Sequence, residues 1–163
     1  MLHATEGVWG FACDPFNAEA VQKVIALKGR AADKGLIVIA ATAAVFSKQM
    51  SDLTAVRCEE IMASWPGPHT WILHDNEYAP VIRGFRDTLA CRVPGHPQAR
   101  ALCQQFGAAL VSTSANLAGE PGITTLEQAR QSFGGKVDYL LSGAVLNPGR
   151  ASTIHALDGE ILR

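Results

Sequence analysis

Apolar and polar positions along this chain follow two periods. Between Ala18 and Lys28, Val21, Val24 and Ile25 share one face at helical spacing, with Asn17 placed to cap the start and Gly29 to stop the end. Gly35 to Ala41 is apolar and β-branched without alternation, as in a strand covered on both faces. The spacing predicts a second helix over about Leu53–Ser64. It ends at Trp65-Pro66-Gly67-Pro68, which neither a helix nor a central strand can hold. His69–Leu73 reads as a strand, Asp75–Asp87 as an irregular polar loop and Thr88–Val93 as another strand. Pro97 opens a helix that finishes near Phe106, ahead of Gly107. Ala108–Val111 predicts a strand, with Ser112-Thr113-Ser114-Ala115-Asn116 as the loop at its exit. Thr124 and Glu127 have capping-box spacing for a helix to about Phe133, closed by Gly134-Gly135. Val137–Leu141 reads as a strand. Asp158-Gly159 is a two-residue turn between Thr153–Leu157 and Glu160–Leu162.

Strands and helices that alternate in this way predict an α/β protein with a twisted mixed sheet, to which the terminal hairpin adds an antiparallel piece. In open sheets of this class ligands gather beyond the strand ends. The polar residues at those ends are therefore the ones to weigh.

Composition narrows the function. A chain of 163 residues, 48% apolar and 18% charged, fits one soluble domain with a real core. The formal charge of -1 argues against a protein that grips nucleic acid through bulk positive charge. No apolar run approaches the roughly 20 residues of a membrane helix, and the start MLHATEGVWG is not a signal or transit peptide. Cys13, Cys58, Cys91 and Cys103 are scattered, with no C-x-x-C pair and no histidine pair at ligand spacing. Zinc and a disulfide framework are thereby disfavoured, and reduced thiols in the cytoplasm are expected.

Several short stretches could carry chemistry. Lys28, Arg30 and Lys34 crowd into seven residues ahead of the Gly35–Ala41 strand. A bland reading covers part of this: Lys28 in a last helical turn offsets the dipole by about 0.3–1 kcal/mol, and Lys34 can be a solvated loop residue. The functional reading is a multi-anion site built from side chains, since no Walker loop is present. Ser112-Thr113-Ser114-Ala115-Asn116 offers hydroxyls and an amide to a ligand, against the alternative of an ordinary polar turn. It is not a nucleophile elbow, because no glycine flanks either serine at the required offset. Alternation puts Thr88, Ala90 and Arg92 on one face of their strand, opposite Leu89, Cys91 and Val93. Arg83 and Arg86 are expected on the loop surface. Thr5 beside Glu6, and Thr70, could orient a substrate or simply serve strand ends. Ser152-Thr153 reads as a strand start, and the five histidines as structural or exposed.

Singly these signals are weak, but their order is specific. Thr5-Glu6-x-Val8-x-Gly10, Leu27-Lys28-x-Arg30-x-x-x-Lys34-x-Leu36 and Trp65-Pro66-Gly67-Pro68-x-Thr70 are followed by Arg92-Val93-Pro94, Ser112-Thr113-Ser114-Ala115-Asn116-x-x-Gly119 and Ser152-Thr153-Ile154. This series resembles the YrdC-like family of threonylcarbamoyl-AMP synthases, in its short bacterial form, over essentially the whole chain.

The resemblance implies an open twisted sheet around a concave, positively charged cavity. It also implies a reaction: L-threonine, bicarbonate or CO2, and ATP yield threonylcarbamoyl-adenylate and pyrophosphate, for the threonylcarbamoyl-adenosine modification of tRNA carried through by partner proteins. By the same resemblance Lys28 and Arg30 would grip phosphate and act catalytically. Lys34, Ser112, Ser114, Asn116 and Ser152 would join them on ATP, and Thr5, Thr70 and Arg92 would face threonine. Magnesium would arrive with ATP, with no protein metal ligands and no tightly bound cofactor. The chain departs from the family's Tyr-Pro-Thr-Glu-Thr-like start, showing His3-Ala4-Thr5-Glu6-Gly7 instead. The expected domain spans 1–163 without the family's N-terminal helix. Two other functions use the same basic cavity: a module binding tRNA or double-stranded RNA, and an inactive paralogue.

Overall fold

In a computed structural model, which describes residues 1–162, seven strands form one open mixed sheet. Arg163, the last residue of the expected domain, lies outside the described residues. In chain order the strands are β1 (Leu2–Ala4), β2 (Trp9–Cys13), β3 (Ile37–Ile39), β4 (His69–His74), β5 (Thr88–Arg92), β6 (Leu110–Ser114) and β7 (Thr153–His155). Across the sheet they run β1-β2-β6-β3-β5-β4-β7. The β3–β5 and β4–β7 pairs are parallel, and the other neighbours antiparallel.

The helices are α1 (Ala18–Lys28), α2 (Ala55–Ser64), α3 (Pro80–Arg83), α4 (Pro97–Phe106) and α5 (Leu126–Phe133). Helix α1 starts where Asn17 Oδ1 accepts from the Ala20 amide at 3.0 Å, and stops at Gly29, whose φ of 55° suits glycine. Helix α4 has the bounds its Pro97 and Gly107 predict. The capping box of α5 sits one residue later than expected. Thr125 Oγ1 accepts from Gln128 N, and Gln128 Oε1 accepts from Thr125 N, each at 3.2 Å. Both registers satisfy the motif. The one adopted also lets Gln128 Oε1 take the Thr124 amide.

Other elements differ from the sequence reading. Strands β1 and β2 form an unforeseen hairpin, and β2 pairs with β6 through Gly10↔Ser114 and Ala12↔Ser112. That pairing extends β6 to Ser114, so Ser112–Ser114 belong to a strand and not to a loop. Val137–Leu141 contributes only a bridge, Leu140 to Leu2. The loop after Asp75 holds the short helix α3. Strand β7 enters the sheet parallel to β4, and the expected antiparallel hairpin around Asp158-Gly159 forms as a short ladder, with a bridge between His155 and Ile161 and hydrogen bonds from Ala156 N to Glu160 O and from Leu162 N to Ile154 O.

The two faces of the sheet are covered unequally. On one, Val38, Leu89, Cys91, Trp71 and Val111 pack against Phe46, Ile61 and Trp65. Beside it, Leu2, Trp9 and Phe11 close on Val24, Ala129 and Phe133, with the Phe11 and Phe133 rings edge-on at 4.9 Å. Burial of each such side chain is worth about 1.5–3 kcal/mol. On the opposite face Ala99, Leu102 and Cys103 of α4 form a small cluster with Ile37, Ile39, Ala41 and Leu110. The rest of that face is left concave.

Candidate functional site

The uncovered face is the floor of a cavity of about 690 Å³. Alternation delivers Thr88, Ala90 and Arg92 of β5 to it, as expected, while Leu89, Cys91 and Val93 point into the core. Strand β6 adds Ser112 and Ser114, and Asn116 follows at its exit. Among the described residues, Arg30, Lys34, Arg83, Arg86, Arg92 and Arg150 are the cations of its lining, which holds no aspartate or glutamate. By composition this lining favours anions.

Lys28 does not line it. The side chain is buried, and its Nζ lies among four oxygens: Ser114 O at 2.5 Å, Asn116 Oδ1 at 3.0 Å, and Ser114 Oγ and Asn116 O at 3.3 Å. Burial, and then the charge of Arg30, lower its pKa to about 8. Ser114 Oγ donates to Asn116 Oδ1 at 2.5 Å, and Asn116 Nδ2 donates to Glu120 O at 2.6 Å. Lys28 therefore fixes the wall that carries Ser114 and Asn116. Arg30 reaches the rim, where its Nη2 donates to Lys34 O at 3.2 Å.

The remaining predicted residues gather at the other end. Thr5 Oγ1 donates to Val8 O at 2.7 Å. Thr70 is fully buried and outside the lining; its hydroxyl donates to Ser152 Oγ, which is in the lining, at 3.0 Å. Arg92 is held by Gly67 O, 3.1 Å from its Nε, and by Glu6 Oε1, 2.6 Å from its Nη2. A strap over 146–150 crosses the Glu6-Gly7 backbone: Leu146 N and Asn147 N both donate to Glu6 O, and Gly149 N donates to Gly7 O. A Cβ on Gly7 would fall 1.6 Å from Arg150 O, so only glycine permits this crossing.

Other participants escaped the sequence reading. Arg83 and Arg86, expected on the loop surface, line the cavity, as does Arg150. Arg83 is held by the main-chain oxygens of Tyr78 at 2.8 Å, Asp75 at 3.1 Å and Arg86 at 2.6 Å, with the Asp75 carboxylate 3.6 Å from its Nε. His3 is fully buried, with Nε2 3.1 Å from Ser112 Oγ, and burial foremost lowers its pKa to about 4. Gly10 leaves room for that pair: a Cβ there would sit 3.3 Å from the imidazole. His69 Nδ1 and His155 Nε2 lie 2.9 Å apart, a pairing that tertiary structure creates between β4 and β7. Among the described residues no cluster of three or more His, Cys, Asp or Glu is placed to hold a metal ion, and no helix is long and apolar enough to cross a membrane.

The chain is similar to curated proteins named threonylcarbamoyl-AMP synthase. One from Halorhodospira halophila is 48% identical over 144 residues, 88% of this chain and 75% of that protein. One from Nitrosococcus oceani is 46% identical over 98% of this chain and 86% of that protein. Among solved structures, P. abyssi Sua5 complexed with L-threonine superposes with a TM-score of 0.90 at 29% identity. The match covers 98% of this chain, which spans about half (48%) of that structure's length. E. coli YciO, at 21% identity and a TM-score of 0.84 over 96% of this chain, shares the fold. The family model for Sua5, YciO and YrdC, described as "Telomere recombination", matches residues 2–163. The chain belongs to the Sua5/YciO/YrdC family.

Proposed function

We propose that this protein is a threonylcarbamoyl-AMP synthase, a nucleotidyltransferase that joins L-threonine, bicarbonate or CO2, and ATP with release of pyrophosphate. The observation that carries the reading is the cavity lining, in which, among the described residues, six cations and no carboxylate surround a floor of hydroxyl-bearing and aliphatic side chains. A triphosphate with magnesium and a threonine carboxylate are the anions such a lining suits.

No covalent catalyst is needed. The threonine amine captures CO2, one oxygen of the resulting carbamate attacks the α-phosphorus, and pyrophosphate leaves. Holding three reactants together can lower the barrier by about 7–11 kcal/mol. Arg30, Lys34 and Arg86 at the rim face the phosphates, where cations stabilise the charge that develops in transfer. A pair of charges about 4 Å apart in such a half-enclosed site interacts by about 4 kcal/mol. Ser112, Ser114 and Asn116 hydrogen-bond the nucleotide, and Lys28 acts through the last two by fixing their positions. Arg92 takes the threonine carboxylate, with Thr5 beside it. Ser152, held by Thr70, closes the other end. Magnesium belongs to the nucleotide substrate.

The single-domain reading rests on all seven strands sharing one sheet. The product is a reactive mixed anhydride, which suits cytoplasmic partner proteins that pass the threonylcarbamoyl group to tRNA. The test is pyrophosphate release from Mg-ATP, with L-threonine and bicarbonate added singly and together. Release that needs both supports the synthase. Folded protein that releases none, yet retains structured RNA with steep salt dependence, overturns it in favour of an RNA-binding module.

A further inference from the structure

We propose that Glu6 is the positioning residue of the threonine subsite: its buried carboxylate aims the Arg92 guanidinium into the cavity, so that threonine affinity depends on Glu6 and nucleotide affinity does not. This rests on the synthase reading above.

An arginine at a strand end has a long, flexible stem and by default reaches for solvent. Arg92 is held back. Both side chains of the Glu6–Arg92 pair are 10% exposed, and the Nη2 to Oε1 distance is 2.6 Å. Gly67 O, 3.1 Å from Nε, fixes the other end of the fork. With two of its groups located, the planar guanidinium has one orientation, and it stands in the cavity lining.

Glu6 is itself built into place. Oε1 also accepts from the Gly95 amide. Its backbone oxygen accepts from Leu146 N at 3.0 Å and Asn147 N at 2.6 Å, which seats the strap. A Cβ on Gly95 would come within 3.2 Å of Oε1. The second carboxylate oxygen, Oε2, is buried without a hydrogen-bond partner among the described residues. A carboxylate retained for stability alone would have both oxygens satisfied, because an orphaned one is costly. An oxygen left bare beside a cavity cation is consistent with a group kept for orienting that cation. Arg92 lies away from the Lys28, Ser114 and Asn116 wall, so the effect should not spread to ATP.

The experiment compares wild type, Glu6→Gln and Gly95→Ala, measuring pyrophosphate release at varied threonine and varied ATP, with thermal melts alongside. Glu6→Gln keeps the shape and loses the charge. It is expected to raise the KM for threonine at least tenfold and to leave the KM for ATP within twofold. Gly95→Ala displaces Oε1 without touching Arg92 and is expected to raise the threonine KM by a smaller factor. Adding Glu6→Gln to Arg92→Ala is expected to change nothing further. Active wild type with an unchanged threonine KM in Glu6→Gln, or with threonine and ATP KM rising together, overturns the inference. A melting temperature that falls while both KM values hold does so too. Should Glu6→Gln fail to fold, Gly95→Ala decides alone, and an unchanged threonine KM there is fatal. Wild type that releases no pyrophosphate with both substrates removes the synthase reading, and this inference with it.

Discussion

The Lys28 ammonium donates to the main-chain oxygen of Ser114 at 2.5 Å and to the side-chain oxygen of Asn116 at 3.0 Å, so a residue at a helix end governs the wall of the cavity. Replacing it with methionine keeps the stem's packing and removes the Lys28 donor from four oxygens, leaving Ser114 O only the Asn116 amide and Asn116 Oδ1 only the Ser114 hydroxyl. Leaving buried acceptors unpaired costs about 1–3 kcal/mol. Lys28→Met should therefore lower the melting temperature and raise the KM for ATP at least tenfold, while threonine KM changes less. Lys28→Arg should not rescue it, because a planar fork does not fit a cage shaped for a point charge. Calorimetry and two-substrate kinetics check this. Unchanged ATP KM in the methionine variant would mean that the cage has no bearing on nucleotide binding.

Gly7 tests the strap. Its hypothetical Cβ would overlap Arg150 O, at 1.6 Å, and backbone cannot swing aside as a side chain can. Gly7→Ala should lift residues 146–150, withdraw Ser152 from the cavity and cut turnover at least tenfold. Gly135→Ala, with nothing within 4 Å of the added Cβ, is the control and should behave as wild type. Equal turnover in the two variants would show that the strap's seat does not matter to the chemistry.

What the chain declares in advance is what local chemistry decides. Helix α4 was legible because Pro97 and Gly107 punctuate both ends. Arg92 was legible because alternation on β5 leaves one choice of face. Ser112–Ser114 looked like a loop because hydroxyls favour turns, and only pairing with β2, about a hundred residues earlier, makes them a strand. The inward turn of Lys28 was hidden for a similar reason: a cation in a last helical turn already has a sufficient local explanation. Arg83, Arg86 and Arg150 reach the cavity from segments with no common motif, so their convergence exists only in three dimensions.

His3 gives a prediction in pH. Burial lowers its pKa from 6.5 to about 4, so the folded protein resists protonation that the unfolded chain accepts. Between those values the unfolded state binds more protons, and stability falls as pH drops from about 6.5 toward 4. The slope approaches about 1.4 kcal/mol per pH unit from this residue. His3→Gln should flatten that part of the stability curve in urea melts at pH 7, 6, 5 and 4. Parallel curves for variant and wild type would show that other groups set the acid limb.

Arg83 and Arg86 separate scaffold from ligand site. Arg83 donates to Tyr78 O at 2.8 Å and Asp75 O at 3.1 Å, and its Nε lies 3.6 Å from the carboxylate of Asp75, whose side chain is wholly buried. Removing it leaves that charge with less compensation, and Arg83→Ala should cost about 1–3 kcal/mol of stability. Arg86 is exposed at the rim, and its loss should leave the melting temperature within about 1 °C. Its effect belongs to the anion: Arg86→Ala should raise the KM for ATP about three- to tenfold at low salt. The difference from wild type should shrink as the Debye length falls from about 10 Å at 0.1 M to about 3 Å at 1 M. A salt-independent ratio of KM values would mean that Arg86 acts through contact or shape. An unchanged KM at low salt would remove it from the phosphate site.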